Sequence, residues 1–338
     1  MKKPNFAQAR HHAPAFAVLV ACVLLTIAAY LGEQRHAKDR AALHASADAT
    51  EFQHTLQQGI DSYIDLNRNV AGYFTAAPEA SDEKGAAAFA TYMQSADVLR
   101  QNPGMSYIGY MRRNKRLAAD QHGQADTADH GALPGRVPDP DFTYPYLFVF
   151  PEDARARRVK GWDYASIPER WTAIQQARDS GRTVATARHL PIAGISGLPV
   201  IMVFTPIYDQ ALPASTVAER RVALRGFVFS IYYIGEMIER VMGSSFHALF
   251  DLEIYDGKVD AGNILYDGDN RPHVLIRDDH MPIARKATVD VAGRAWQLIF
   301  YPKPIYVDRY DSWNGVAILL LGFAVSAAFA SMMWNWTR

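Results

Sequence analysis

Two stretches of the 338-residue chain carry no charge, one near each end. Ala13 to Leu31 is uncharged, with Phe16 to Leu25 continuously apolar, and Ser312 to Thr337 is uncharged again, with Val316 to Ala330 almost wholly aliphatic or small. About 20 such residues make a helix long enough to cross a bilayer, so the pattern predicts transmembrane helices over 13–31 and 312–337. A cleaved signal peptide is the alternative for the first, but its apolar run is long and no Ala-x-Ala site follows it directly. Lys2, Lys3 and Arg10 precede it without an acidic residue, which sets residues 1–12 in the cytoplasm and the segment between the spans outside. Trp313, Trp334 and Trp336 lie at the ends of the second span, where aromatic rings favour the headgroup layer.

Between the spans the hydrophobic period changes along the chain. From Arg35 to Ala77 there is no proline, and Phe52, Leu56, Ile60, Tyr63, Val70 and Phe74 form one stripe at helical spacing. A helix from Ala15 to Phe74 would be roughly 90 Å long, with a stalk over 32–78 whose stripe packs on the globular part, on a second copy, or on both. A second helix is expected from a Ser81 cap, with Asp82 and Glu83 in its first turn and Phe89, Met93 and Ala96 on one face. Met105 to Tyr110 and Tyr146 to Phe150 read as strands, separated by a polar loop from Arg112 to Asp141. Ser166-Ile167-Pro168-Glu169 has the form of a capping box opening a helix that runs to Gly181. Strands are expected at 184–190, 199–208 and 224–231, then a helix near 234–242. A last group of strands follows at 249–255, 264–266, 274–276, 288–291 and 295–301, with Ala292-Gly293 as the hairpin turn between the final two. The fold class is α+β, a long helix carrying two modules.

Composition narrows the function by exclusion. With 49% hydrophobic residues the chain can build a core, and a formal net charge of zero gives no basic excess for nucleic acid. The single cysteine, Cys22, lies in the first span, so the outer segment has neither a disulfide nor a catalytic thiol. Eleven histidines form no His-Glu-x-x-His and no i, i+4 pair, and Asp278-Asp279-His280 beside Arg277 reads as a solvated turn, so no metal and no cofactor is expected. No nucleophile elbow, phosphate loop or kinase signature is present, and no catalytic residue is assigned. A large outer segment between two spans suits detection outside and transmission inward. A membrane-anchored envelope enzyme and a ligand-free anchoring protein are the alternatives.

The block from Lys160 to Gly257 resembles the CHASE domain, the extracytoplasmic sensory module of plant cytokinin receptor kinases and many bacterial sensors. The matching residues are Gly161-Trp162-Asp163-Tyr164, Ala177-Arg178-Asp179-Ser180-Gly181, Val184-Ala185-Thr186-Ala187, Val203-Phe204-Thr205-Pro206-Ile207-Tyr208, Glu219-Arg220-Arg221 with Leu224-Arg225-Gly226-Phe227-Val228, and Leu252-Glu253-Ile254-Tyr255-Asp256-Gly257. The resemblance implies a stalk helix followed by two PAS-like units, a membrane-distal ligand-binding one over 79–233 and a membrane-proximal one over 234–311. Arg170 stands where the plant receptors carry the aspartate that reads adenine, which argues against cytokinin. An arginine cannot accept a hydrogen bond, so an anionic ligand is expected if Arg170 faces the cavity; the alternative is that Arg170 is simply a solvated helix residue. Thr186 matches the threonine of the family's pocket strand. The expected ligand-lining set is Tyr107, Phe148, Asp163, Tyr164, Arg170, Thr186, Ile192, Phe204 and Phe229, although each aromatic taken alone also fits plain core packing. The two spans imply contact with membrane lipid, and the length of the Phe52–Phe74 stripe, with a signal to pass through those spans, predicts a parallel homodimer joined along the stalk. The resemblance further implies a small-molecule ligand and a cytoplasmic histidine kinase or diguanylate cyclase output absent from this chain, which is then either a receptor half with a separate partner or a truncated chain. It places the receptor in the bacterial inner membrane with its large domain periplasmic.

Overall fold

The computed structural model describes residues 6–81, 85–116, 139–158, 160–161, 163–189, 198–273, 284–309 and 314–336. Its contacts divide the chain into two units, Thr50–Tyr301 and a second formed by Met1–Ala49 with Pro302–Arg338. Helix α1 spans Phe6–Ala76 and contributes to both.

In the terminal unit, α1 and the helix Asn314–Trp336 are each long and apolar enough to cross a membrane. They pack on each other through Gly322, where an added Cβ would lie 2.3 Å from Thr26 Cγ2. Only a residue without a side chain allows that approach, the usual role of small residues between membrane helices. The Thr26 hydroxyl is turned to the Cys22 carbonyl of its own helix (2.9 Å) and that of Ser326 to the Gly322 carbonyl (2.7 Å), so neither polar group is left bare.

The larger unit is organised by two sheets. After α2 (Ala86–Ser95) and α3 (Val98–Gln101) come β1 (Met105–Arg112), the short ribbon strands β2 (Asn114–Lys115) and β3 (Phe142–Thr143), and β4 (Tyr146–Phe150). Helices α4 (Ala154–Arg158) and α5 (Pro168–Ser180) precede β5 (Val184–Ala185) and β6 (Val200–Tyr208). Helix α6 (Val217–Ala223) then leads into β7 (Leu224–Tyr233). The first sheet has the order β4-β1-β7-β6-β5 and is antiparallel throughout. Counted along the chain, its five strands lie 2-1-5-4-3. The second sheet follows α7 (Ile234–Leu249) and has the order β10-β11-β8-β9, with β8 Phe250–Asp256, β9 Ile264–Asp267, β10 Arg285–Val291 and β11 Arg294–Pro302. Ala292 and Gly293 both take positive φ between Val291 and Arg294, as the expected two-residue hairpin requires.

The α1 stripe is consumed inside the chain. Leu56, Ile60, Tyr63, Ile64, Asn67, Val70 and Phe74 are buried, and Phe52 meets the rings of Phe246 and Phe250 at 4.7 and 5.5 Å. The stripe is therefore core-facing from Phe52 to Phe74, and the length of that stripe no longer argues for a dimer seam. Asn67 Nδ2 donates to the Val203 carbonyl (3.1 Å), and Tyr232 donates through its hydroxyl to the Tyr63 carbonyl (3.0 Å), fixing α1 to β6 and β7.

Several local expectations are corrected. Ser166 does not cap α5: it ends a 3-10 turn, Tyr164–Ser166, whose cap is Asp163, and Ile167 precedes α5 with Pro168 in its first turn. The capping box of this region is Thr216 with Glu219 at the start of α6. Ser81 belongs to a 3-10 turn over Pro78–Ser81, and Gly85 stands before α2. The strand expected over 184–190 is two residues long, followed among the described residues by a Thr186 N–H to Met202 carbonyl hydrogen bond (2.8 Å) and an isolated bridge from His189 to Val200. The strand expected at 274–276 and the Asp278-Asp279-His280 turn lie outside the described residues.

The end of α5 shows what the resemblance residues do in the fold. Asp179 pairs with Arg178 (2.7 Å) and with Arg221 of α6 (2.5 and 2.9 Å), while Arg220 Nε donates to the Asp179 carbonyl (2.8 Å). Gly181 closes the helix at φ +72°. The Arg221 and Arg178 guanidinium groups hold the Asp179 carboxyl well below its ordinary 3.8. A depressed carboxyl contributes stability that is complete above the unfolded pKa and is lost as pH falls toward the folded one. Asp179→Asn is expected to cost roughly 1–2 kcal/mol at neutral pH for a partly exposed charged network. Thermal unfolding against pH should show the wild-type advantage constant down to about pH 4 and shrinking below it.

Candidate functional site

The first sheet has two unlike faces. On β7 the alternation sends Val228, Ser230 and Tyr232 toward α1 and Phe227, Phe229 and Ile231 toward α5. On the α5 side lies one cluster containing Tyr144, Tyr146, Tyr164, Ala173, Ile174, Ala177, Met202, Phe204, Phe227 and Phe229, with Tyr107 packed against it. Gly109 makes room there: a Cβ at this position would lie 2.4 Å from the Phe148 carbonyl and 3.0 Å from the Phe229 ring.

Arg170, on the first turn of α5, is driven into this cluster and is only 3% exposed. Its guanidinium carbon lies 4.8 Å above the Tyr164 ring, and its Nε and Nη1 are buried without a hydrogen-bond partner. Taking a guanidinium out of water costs several kcal/mol, while a cation–π contact returns about 0.5–2 kcal/mol, so the tyrosine does not offset the burial. Burial lowers the pKa of Arg170 to about 10, which leaves the group charged at neutral pH. The alternative of a solvated helix residue is excluded by its position.

A second under-satisfied group lies within the field of Arg170. His189 Nε2 is buried without a partner, while its Nδ1 lies 3.3 Å from Thr186 Oγ1 and 3.2 Å from the Ala187 carbonyl. Burial first, then the charge of Arg170, lowers the pKa of His189 to about 4, so the ring is neutral. Thr186 itself is fully engaged: its hydroxyl accepts from Met202 N–H (3.0 Å) and its amide donates to the Met202 carbonyl (2.8 Å). Tyr164 packs on Phe229 and Tyr146 at 5.7 and 6.0 Å, and Tyr107 donates to Asp153 at 3.0 Å.

Of the residues expected to line a pocket, Tyr107, Tyr164, Phe204 and Phe229 meet on the α5 face, where Arg170 is also buried. Thr186 joins them through His189. Asp163 is a scaffold residue: it accepts from the amides of Tyr144 and Ala165 and pairs with Arg116 at 2.9 Å, which holds the turn before α5. Phe148 lies elsewhere, among Phe74, Phe89 and Tyr110 on the α1 face. The reason is a bulge: Met111 pairs with Tyr146 and Tyr110 with Phe148, so Leu147 is extra and the two aromatics flanking it face opposite ways. Ile192 lies outside the described residues. His189 and Tyr146 were not picked out from the sequence, because nothing local distinguishes a strand tyrosine or a lone histidine from core.

An open cleft reaches the same neighbourhood from outside α5. It is lined by Pro168, Glu169, Thr172 and Gln176 of the helix, by Ala185 and Thr186 at β5, and by Arg294 of the second sheet. The two sheets touch here, since Ala185 N–H donates to the Ala292 carbonyl (3.1 Å).

The CHASE domain family model matches residues 83–266, more than half of the chain, and the protein belongs to the CHASE-domain family. These are extracellular sensory domains, and the family carries a sensor role for this chain. No curated protein matches it. Among solved structures, the ligand-binding domain of the Pseudomonas fluorescens chemoreceptor CtaA in complex with L-isoleucine is similar at 15% identity and a TM-score of 0.45, covering 82% of this chain and 98% of that one. The periplasmic sensory domain of the Campylobacter jejuni chemoreceptor Tlp1 is similar at 8% identity and 0.44, covering 82% and 98%. The ligand-binding domain of the Pseudomonas aeruginosa amino acid chemoreceptor PctC in complex with GABA is similar at 14% identity and 0.41, covering 74% and 94%.

Arg170 yields a prediction about the ligand-free protein. Replacing a buried unpaired charge by an apolar chain of similar length removes its desolvation cost, so Arg170→Met is expected to raise stability by about 1–3 kcal/mol. Urea unfolding with an unchanged m-value measures it; a loss of stability would mean that the guanidinium is satisfied where it lies.

Proposed function

We propose that this protein is a two-pass inner-membrane receptor whose periplasmic domain binds a small anionic molecule between α5 and the first sheet. The observation that carries the reading is Arg170, a charged group buried with two N–H groups lacking acceptors. A carboxylate or phosphate on a small ligand supplies acceptors of the right charge, and the surrounding tyrosine and phenylalanine rings supply the apolar wall usual in such sites. His189 can add one more polar contact through its buried Nε2.

On this reading the first sheet, with its 2-1-5-4-3 order, is a PAS-like ligand-binding unit and the second sheet a smaller unit nearer the membrane. The ligand acts on the output through elements hydrogen-bonded to the sheet: α1 through Asn67 and Tyr63, and the second sheet through Ala185 and Ala292. A ligand that prefers one arrangement of these contacts shifts the population toward it. The output is a cytoplasmic histidine kinase or diguanylate cyclase, and the receptor works as a parallel homodimer in the lipid bilayer without catalysing a reaction itself.

A thermal-shift screen of small carboxylates, phosphates and amines against the full chain in lipid nanodiscs tests the binding. Anionic compounds should raise the unfolding temperature of the wild type, and the same compounds should leave Arg170→Met unmoved although it is folded. Hits confined to cations, or hits that survive Arg170→Met, would overturn the anionic reading. For the topology, alkaline phosphatase fused at Asp269 should be active and a fusion at Arg338 inactive; the reverse would invert the orientation.

A further inference from the structure

The second sheet buries charge of the opposite sign. Strand β8 alternates so that Phe250 faces the rings of Phe52 and Phe246, and Asp251, Glu253 and Tyr255 face away from them. Asp251 is 1% exposed and Glu253 is 0% exposed. Glu253 Oε2 accepts from the hydroxyls of Tyr255 (2.9 Å) and Tyr301 (3.3 Å). Asp251 has no such provision: both carboxylate oxygens are buried without a hydrogen-bond partner.

What faces Asp251 is the turn after β9. Asp269 uses Oδ1 to accept the Arg271 amide (2.8 Å), which leaves Oδ2 turned to His273. His273 Nε2 lies 3.3 Å from Asp269 Oδ2 and 3.6 Å from Asp251 Oδ2. Among the described residues no lysine or arginine pairs with either aspartate. The donor atoms of the three residues all lie within 4.8 Å of one another. Gly268 lets the turn close on the strand, since a Cβ there would lie 2.6 Å from Asp251 Oδ1.

One imidazole nitrogen cannot serve two carboxylates. A single N–H donates well to one oxygen at about 2.9 Å, and here both oxygens stand further away. Metal bonds of about 2.1 Å at the tetrahedral angle put neighbouring donor atoms about 3.4 Å apart, and 3.3 and 3.6 Å bracket that spacing. We propose that Asp251, Asp269 and His273 form a binding site for a divalent transition-metal ion of the Zn2+ type, with solvent completing the coordination. One nitrogen and two carboxylate oxygens suit such an ion better than Ca2+, which takes six to eight oxygens, or Mg2+, which keeps several waters. Asp269, 31% exposed, gives the ion its way in. The Tyr301 ring, 5.1 Å from that of His273, packs against the imidazole and limits its rotation. This site is separate in residues and in ligand charge from the one at Arg170.

The test uses the full chain in nanodiscs, stripped with chelator, in a His11→Ala/His12→Ala background that removes the adjacent terminal histidines. Zn2+ titrated against a chromophoric chelator should bind one ion per chain. Asp251→Asn, Asp269→Asn and His273→Gln should each weaken it by at least about 100-fold, since loss of a partner that only supports a ligand already costs about 10–100-fold. Co2+ in place of Zn2+ should give d–d absorption that disappears in the same variants. Should Asp251→Asn not fold, the partly exposed Asp269 carries the same test. Absent Zn2+ binding, binding unchanged in Asp269→Asn and His273→Gln, or a preference for Ca2+ over Zn2+ would each overturn the assignment.

Discussion

Along its buried stripe α1 meets the first sheet with rings and amides at regular intervals. Tyr63 packs on Tyr232 at 5.4 Å, Asn67 donates to Val203, and Phe74 lies among Phe89, Tyr110 and Phe148. Each fully buried aromatic contributes roughly 1.5–3 kcal/mol of burial, so this contact decides which face of the sheet is closed. Strand alternation then leaves Phe204, Phe227 and Phe229 on the other face, where α5 must cover them. The proposed ligand site is thus on the α5 side because α1 has taken the alternative.

The same division holds for charge. The β7 side chains turned toward α1, Val228, Ser230 and Tyr232, are uncharged, and Tyr63, Asn67 and Tyr232 donate hydrogen bonds there. On the far side of each sheet a charged group is buried with too few partners: a guanidinium in the first, a carboxylate in the second. Such groups cost stability when nothing answers them, and a packed core has cheaper ways to fill the space. Their opposite signs call for ligand groups of opposite charge. On the proposed reading each sheet carries one input, with α1 running past the closed faces of both.

Much of this architecture was legible in the residue pattern. The uncharged runs, the α1 stripe, strands β6 and β7 and the Ala292-Gly293 hairpin follow from periods of 3.6 and 2 and from turn chemistry. What failed was local spacing read without its neighbours. Ser166 and Glu169 have the capping-box interval, yet Asp163 holds the turn and Ile167 begins the helix. Tyr146 and Phe148 have the interval of one strand face, yet the bulge at Leu147 separates them. Arg170 was legible as a residue type and not as a buried one, since burial of a helix position depends on which side the sheet lies. The Asp251, Asp269 and His273 group was illegible for a different reason. Its members come from a strand and from a turn after the next strand, and histidine spacing along the chain carries no trace of that meeting.

The point at which the two sheets meet lies at an edge of the first. Strand β5 is two residues long and lies at the edge of the first sheet, and among the described residues the pairing with β6 is continued beyond it by the Thr186–Met202 hydrogen bonds and the His189 bridge to Val200. Short edge strands with few ladder bonds open at low free energy compared with central strands. Yet β5 carries Ala185, bonded to Ala292 of the second sheet, next to Thr186, which contacts His189 beside Arg170. A ligand held at Arg170 and His189, as proposed, would therefore bear on a short edge element of the first sheet that touches the second sheet directly. The strong contact, α1 against the central strands, keeps the frame; the weak one, at β5, is where binding in one sheet can be felt by the other.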